Sequence, residues 1–266
     1  MKMISSSSNE LLKSIRKLKN RKERQERGNY YIEGIRLIGE ALRTGAKVQY
    51  LIVCPELVKS EYGQSLISQA ENSGIEIIQT SPEAFSSIAM KEGPQGLAAV
   101  VAMQTIDLDE VIRLGGIWLA LDSIQDPGNL GSVMRSLDGM GGSGIIILDE
   151  STDPFHPTSA RASTGALFTQ KIIITSSRKF FEWKHKSRVH LVGTSCAEAV
   201  NYRKYNYPQN MILLLGSEQK GLPQDYLANC DGVVTIPLHG SVDSLNLACA
   251  ASIILFEIKN QKPPVN

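Results

Sequence analysis

In the second half of the chain six short apolar runs recur, at residues 117–121, 145–148, 171–174, 190–192, 211–215 and 233–236. Between some of them lie segments with the three-to-four-residue apolar repeat of a helix, clearest over 130–140, and a last helical pattern runs from about 245 to 259. Strands that are apolar at nearly every position are buried on both faces, and strands alternating with helices pair in parallel. The pattern predicts an α/β fold with a doubly wound parallel sheet over 115–266. Ligand sites in such sheets gather at the carboxyl ends of strands, which singles out the loops after Leu121, Leu215 and Ile236.

The first hundred residues read as a separate, smaller α/β unit. Leu11, Leu12, Ile15 and Leu18 make one stripe of a helix expected over 9–27. A short run at 30–34, a helix through Leu42, strands at 48–53, 75–79 and 97–102 and helices near 61–72 and 82–90 complete it. Residues 105–114 are polar and poorly periodic, and are expected to be a linker between domains 1–104 and 115–266. A length of 266 residues accommodates two cores.

Net charge is +1, but its distribution is uneven. Residues 1–27 hold nine Lys/Arg against three Glu, which leaves the remainder acidic. Such asymmetry suits a basic arm facing a polyanion, although a charge run alone also describes a solvated helix face. Cys54, Cys196, Cys230 and Cys249 show no CxxC spacing; three of them sit in or beside apolar stretches and read as small core residues of a reducing compartment. His156, His185, His190 and His239 form no HxH or HExxH pattern, so no metal site is expected. Neither a membrane-spanning run nor an apolar signal core is visible, so a cytoplasmic location is expected.

Gly139-Met140-Gly141-Gly142-Ser143-Gly144 fits the GxGxxG dinucleotide fingerprint, yet its context is reversed. That motif needs a strand before it and a helix after it. Here a helical pattern precedes and an apolar run follows, so the glycines read as a helix stop.

The three strand-end loops carry the polar residues of interest. The first runs from Asp122 to Arg135 and opens a helix with core positions Leu130, Val133, Met134 and Leu137; Asn129 is expected as its N-cap. The second is Leu215-Gly216-Ser217-Glu218-Gln219-Lys220-Gly221-Leu222. The third spans Ile236 to Ala248, with Asp243 or Ser244 as candidate caps of the final helix. Each alone passes for an ordinary turn or helix start.

In this order the three segments, with Arg161-Ala162-Ser163-Thr164-Gly165-Ala166 between the first and second, resemble the signature motifs of the SpoU/TrmH family of SPOUT methyltransferases. The resemblance covers roughly residues 115–258. Arg21, Arg24, Gly28, Tyr31, Glu33-Gly34 and Arg36 also look like the substrate-binding domain that many members carry.

The resemblance implies a deep trefoil knot in the C-terminal domain, S-adenosylmethionine as cofactor and a homodimer whose active sites are completed across the interface. Cofactor walls are expected at Gly193 and Thr194, at Leu215, Gly216, Glu218 and Gly221, and at Ile236, Leu238, Ser244, Leu245 and Asn246. Arg135 matches the family's catalytic arginine, and Asn129, Glu218, Ser244 and Asn246 would organise it and the pocket. A guanidinium is a poor base, so a phosphate or oxyanion contact is the easier role for Arg135, while the resemblance leaves open that it acts as the base with the help of a phosphate. RNA contacts are expected from Lys13, Arg16, Lys19, Arg21, Arg24, Arg36 and Arg161. The implied reaction is 2′-O-ribose methylation of structured RNA, with large-subunit rRNA favoured over tRNA because of the added N-terminal domain. A catalytically silent RNA-binding relative and a resistance-type ribosome methyltransferase are the rival readings.

Overall fold

The computed structural model describes residues 2–90, 93–197 and 199–261. The chain divides into two compact units, one of Met1–Met103 with Asp153–Phe168 and one of Gln104–Thr152 with Thr169–Asn266. Residues 153–168, expected within the catalytic stretch, therefore group with the N-terminal residues.

In the first unit a five-stranded mixed sheet has the order β1-β4-β3-β5-β2, formed by β1 (Lys2–Ile4), β2 (Asn29–Glu33), β3 (Val48–Val53), β4 (Glu76–Thr80) and β5 (Leu97–Ala102). The strand β1, absent from the sequence expectation, pairs in parallel with β4. Helices α1 (Glu10–Lys17) and α5 (Pro82–Ser86) bring Leu12, Ile15 and Phe85 into one core with Ile52, Ile78 and Val100 of the sheet. Helices α3 (Ile35–Arg43) and α4 (Glu61–Asn72) pack on each other and on the sheet.

The helix expected over 9–27 is two helices, because the chain turns at Leu18 and Asn20 caps α2 (Arg21–Arg27) through its side chain. Arg24 stabilises that turn. Its Nη1 donates to the carbonyls of Leu18 at 2.7 Å and Lys19 at 2.9 Å. Its Nε and Nη2 lie 2.8 and 2.6 Å from Asp153 Oδ2, and both side chains are buried. Asp153 Oδ1 accepts the Phe155 backbone N–H, and the Phe155 ring sits 5.0 Å from that of Tyr30. These contacts seat helix α8 (Pro157–Ala162) beside β2.

The second unit is built on a seven-stranded sheet in which every pairing is parallel, as expected. Its order is β10-β12-β9-β11-β6-β7-β8. The strands are β6 (Ile117–Asp122), β7 (Gly144–Leu148), β8 (Lys171–Thr175), β9 (His190–Thr194), β10 (Val200–Asn201), β11 (Met211–Leu215) and β12 (Gly232–Thr235). Strands β6, β7 and β11 are buried at nearly every position, which is why their sequences are apolar throughout.

The expected linker does not hang free. It holds α6 (Glu110–Leu114), and Ile106, Leu108 and Val111 pack into the core around Trp118, Phe180 and Ile212. Helix α9 (Ala166–Thr169) leads into β8, while α10 (Ser177–Ser187) and α11 (Gln224–Ala228) follow β8 and β11. On the opposite face α7 (Pro127–Gly139) packs along α12 (Leu247–Asn260). The glycine-rich segment 139–144 ends α7 and enters β7, with Gly141 at φ 70°. A β-carbon at Gly144 would collide with the Trp118 ring, so this glycine serves packing rather than a dinucleotide.

Candidate active site

Helix α7 is capped by Asp126, not by Asn129. Asp126 Oδ1 accepts the Asn129 backbone N–H at 2.7 Å, and Pro127 occupies the first helical position, where no N–H is needed. Asn129 is thereby released from capping and its side chain reaches two other loops. Its Nδ2 donates to Glu218 Oε1 at 3.0 Å, and its Oδ1 accepts from Asn246 Nδ2 at 3.0 Å.

The amide orientations follow from chemistry. Asn246 is the N-cap of α12, so its Oδ1 must accept the Ala248 and Cys249 N–H groups, at 2.9 and 3.4 Å. Its Nδ2 is then the atom offered to Asn129. Asn129 answers with Oδ1 and turns Nδ2 to the acceptor-only carboxylate of Glu218. Further along the same helix pair the Ser136 and Ser252 hydroxyls meet at 2.7 Å, a second tie between α7 and α12.

Glu218 sits on a tight turn after β11. Gly221 donates to Ser217 O at 2.9 Å with φ 64°, and a β-carbon on Gly216 would collide with the Gly221 carbonyl. Only glycine permits this closure.

Three strand-end loops, after β9, β11 and β12, enclose a cavity of about 820 Å³. This volume falls in the range of roughly 300–1,000 Å³ that suits a small organic ligand. From the expected walls, Thr194 lines it, as do Leu215, Gly216, Glu218 and Gly221, and then Ile236, Leu238, Ser244 and Leu245. Gly193 does not: it is buried within β9, and a β-carbon there would meet Cys230 Sγ at 2.8 Å. Asn246 stands outside the lining and is hydrogen-bonded to Asn129. Burial pushes the Cys230 thiol up to about 11.

Arg135 lies exposed on α7, outside the cavity lining, and makes no hydrogen bond or ion pair among the described residues. Sequence reasoning missed Ser195 and Cys196 on the lining, and it missed Asp126 although Asp-Pro is a helix-start signal. Cys196 and Cys249 are exposed, so fewer cysteines are core residues than the three expected.

The expected RNA contacts divide. Arg24 is buried and ion-paired, which removes it from any phosphate-binding set. Arg16 donates to Ser7 O at 2.8 Å and Ser87 Oγ at 2.9 Å, and Arg21 is half-buried. Lys13, Lys19, Arg36 and Arg161 remain on the surface, with Lys13 paired to Glu10 at 2.7 Å.

A parallel sheet whose strand ends enclose such a cavity, lined by glycine backbone, apolar walls and one anchored carboxylate, defines an α/β protein that binds a small molecule of nucleoside size. The chain belongs to the SpoU rRNA methylase family, whose model matches residues 116–256. The MRM3-like substrate binding domain matches residues 9–99. A 23S rRNA (uridine(2479)-2′-O)-methyltransferase of Streptomyces viridochromogenes is 32% identical, with 92% of this chain and 87% of that protein covered. A 23S rRNA (guanosine(2553)-2′-O)-methyltransferase of Bacillus subtilis is 29% identical, with 97% and 100% covered. The AdoMet-bound rRNA methyltransferase of Sinorhizobium meliloti superposes with a TM-score of 0.87 at 32% identity, covering 97% of each chain.

The cavity fits S-adenosylmethionine on its own features. Backbone closes in at Gly216, apolar Leu215, Leu222 and Ile236 suit a base, and Glu218 suits a sulfonium cation. No helix of the described residues is long and apolar enough to cross a membrane.

Proposed function

We propose that this chain transfers a methyl group from S-adenosylmethionine to a ribose 2′-hydroxyl of large-subunit rRNA. The observation that carries this reading is the Glu218–Asn129–Asn246 network, which ties three loops far apart in sequence at the rim of one cofactor-sized cavity. The named activities of the relatives in Streptomyces viridochromogenes and Bacillus subtilis support the substrate class.

When bound, the cofactor supplies an electrophilic methyl on a good leaving group. The chain's residues supply position and exclusion of water. Leu215, Gly216 and Gly221 would hold the cofactor from the β11 side, and Ile236, Leu238 and Leu245 from the β12 side. Arg135 would bind an RNA phosphate, a role suited to a permanently charged fork. Arg135 lies outside the cavity lining of its own chain, which supports a reading in which the active site would be completed across a homodimer. On α12, Cys249 and Phe256 are exposed and Ile253 is half-buried, spaced as one helix face that a second copy would cover.

The first unit, with Lys13, Lys19, Arg36 and Arg161 exposed, would hold the RNA by phosphate contacts. The trefoil knot belongs to the same reading: the order β12-β9-β11 takes the chain from β9 to β11 and back past β9 to β12. The enzyme would work in the cytoplasm, where ribosomal RNA is found. Mapping 2′-O-methyl positions in 23S rRNA from cells with and without the gene tests the proposal. An unchanged methylation pattern would refute it.

A further inference from the structure

The loop between β10 and β11 carries Tyr202-Arg203-Lys204-Tyr205-Asn206-Tyr207, a run of rings and cations without an acidic residue. Its inner tyrosines fix it to the sheet. Tyr207 is buried, with its ring centroid 5.1 Å from that of Tyr205. Tyr205 Oη lies 2.8 Å from His190 Nε2, and its ring lies so close to Gly232 that a β-carbon there would collide with it. At the outer end Asn201 closes a turn. Its Oδ1 accepts the Arg203 N–H at 3.0 Å, and its carbonyl accepts the Lys204 N–H at 2.8 Å.

That turn displays an assembled pair. Arg203 Nε donates to Tyr202 Oη at 2.9 Å, and the guanidinium carbon lies 5.5 Å from the Tyr202 ring centroid. Arg203 and Lys204 are exposed, and neither is ion-paired among the described residues. By contrast, the exposed Arg43, Arg113 and Arg178 each meet a carboxylate three or four residues away. The pair also stands beside the cavity, because the Tyr202 N–H donates to the carbonyl of Thr235, a lining residue, at 3.0 Å.

A guanidinium held against an aromatic ring keeps its charge and offers a flat outer face on which an unpaired base can stack. Fixing Arg203 beforehand reduces the side-chain entropy lost on contact. A lysine next to it suits the phosphate that adjoins such a base.

We propose that the Tyr202–Arg203 pair is a stacking platform for an unpaired base near the target nucleotide of the RNA, with Lys204 on the adjoining phosphate. This rests on the methyltransferase reading above, and adds an RNA contact on the second unit to those of the first.

The probe is total ribosomal RNA from cells lacking the gene, with filter-binding affinity and the KM for RNA in methyl transfer both measured. Arg203→Ala should raise each by about tenfold, the effect of losing one stacked base. Arg203→Lys keeps the charge but not the plane, so binding should weaken by about fivefold or more while its salt dependence stays as in the parent. Lys204→Ala should lower the salt slope by about 0.7, one single-stranded phosphate contact. Calorimetric affinity for S-adenosylmethionine should stay within about twofold in all three variants, which also shows them folded. Parent-like RNA binding by Arg203→Ala, recovery to within about twofold by Arg203→Lys, or an equal loss of cofactor affinity would overturn the platform. Absence of methyl transfer by the unsubstituted protein would refute the functional reading, and the filter-binding series would then decide the platform separately.

Discussion

Replacing Arg24 by methionine would strand a buried carboxylate. Arg24 makes two contacts to Asp153 Oδ2 and donates to two turn carbonyls, and the residue is 1% exposed. Methionine keeps much of the stem's packing but leaves the Asp153 carboxylate with only the Phe155 N–H as donor among the described residues. Removing one partner of a buried ion pair costs about 3–5 kcal/mol. Residues 153–168 would then lose their main polar anchor on the first unit, so that unit should unfold at lower urea. Spectroscopy can separate the units. Trp118 and Trp183 both lie in the second unit, so tryptophan fluorescence follows it, while far-ultraviolet circular dichroism follows both. The dichroism transition should move to lower urea and part from the fluorescence transition. Joint replacement by Arg24→Met and Asp153→Leu should recover most of the stability, since apolar substitutes for a buried pair are often neutral. A destabilisation below about 1 kcal/mol, or one that 1 M salt largely removes, would show a solvated pair and refute the reasoning.

Four further outcomes are expected. Arg135→Ala should abolish methyl transfer in single-turnover assays while calorimetric binding of S-adenosylmethionine survives; retained turnover would remove Arg135 from the reaction. Gly216→Ala should eliminate cofactor binding, because its methyl has no room beside the Gly221 carbonyl, and unchanged affinity would mean the turn relaxes at little cost. Lys19→Glu with Arg36→Glu should weaken RNA binding and lower its salt slope by about one for each phosphate no longer neutralised, whereas Arg24→Met should leave that slope unchanged while the unit stays folded. The fourth concerns His156, which caps α8 by accepting the Thr158 N–H at 3.2 Å. Burial, then the charges of Arg24 and Arg161, hold its imidazole below the usual range. The fold thus favours the neutral form, so the stabilisation is present above about pH 6.5 and is lost as pH falls below it. Urea titrations from pH 7 to 5 should show this decline, and His156→Asn, which keeps a cap, should flatten it.

Much of the architecture was written locally. Continuous apolar runs such as 211–215 and 145–148 can be buried only between two layers, so the parallel sheet follows from their composition. The cavity lies at the ends of such runs, and Thr194, Leu215, Gly216, Glu218, Gly221, Ile236, Leu238, Ser244 and Leu245 are on its lining. Gly193 lies off the lining because positions of a strand alternate in direction, and this one faces Cys230.

The roles within the site were decided elsewhere. Asn129 and Asp126 are both good caps, and only the structure shows Asp126 taking the helix end. That choice frees Asn129 to join Glu218, 89 residues away, and Asn246, 117 residues away. Arg24 tells the same story in reverse: within a basic run it reads as a surface charge, yet Asp153, 129 residues on, draws it inward. The chain by itself determined the strands, the helix stops and the loops that could hold a ligand, because periodicity and backbone freedom act over a few residues. Which polar groups meet, and so which are buried, anchored or left open for chemistry, was decided by tertiary packing, since a hydrogen bond has no reach beyond about 3 Å until the fold brings its partners together.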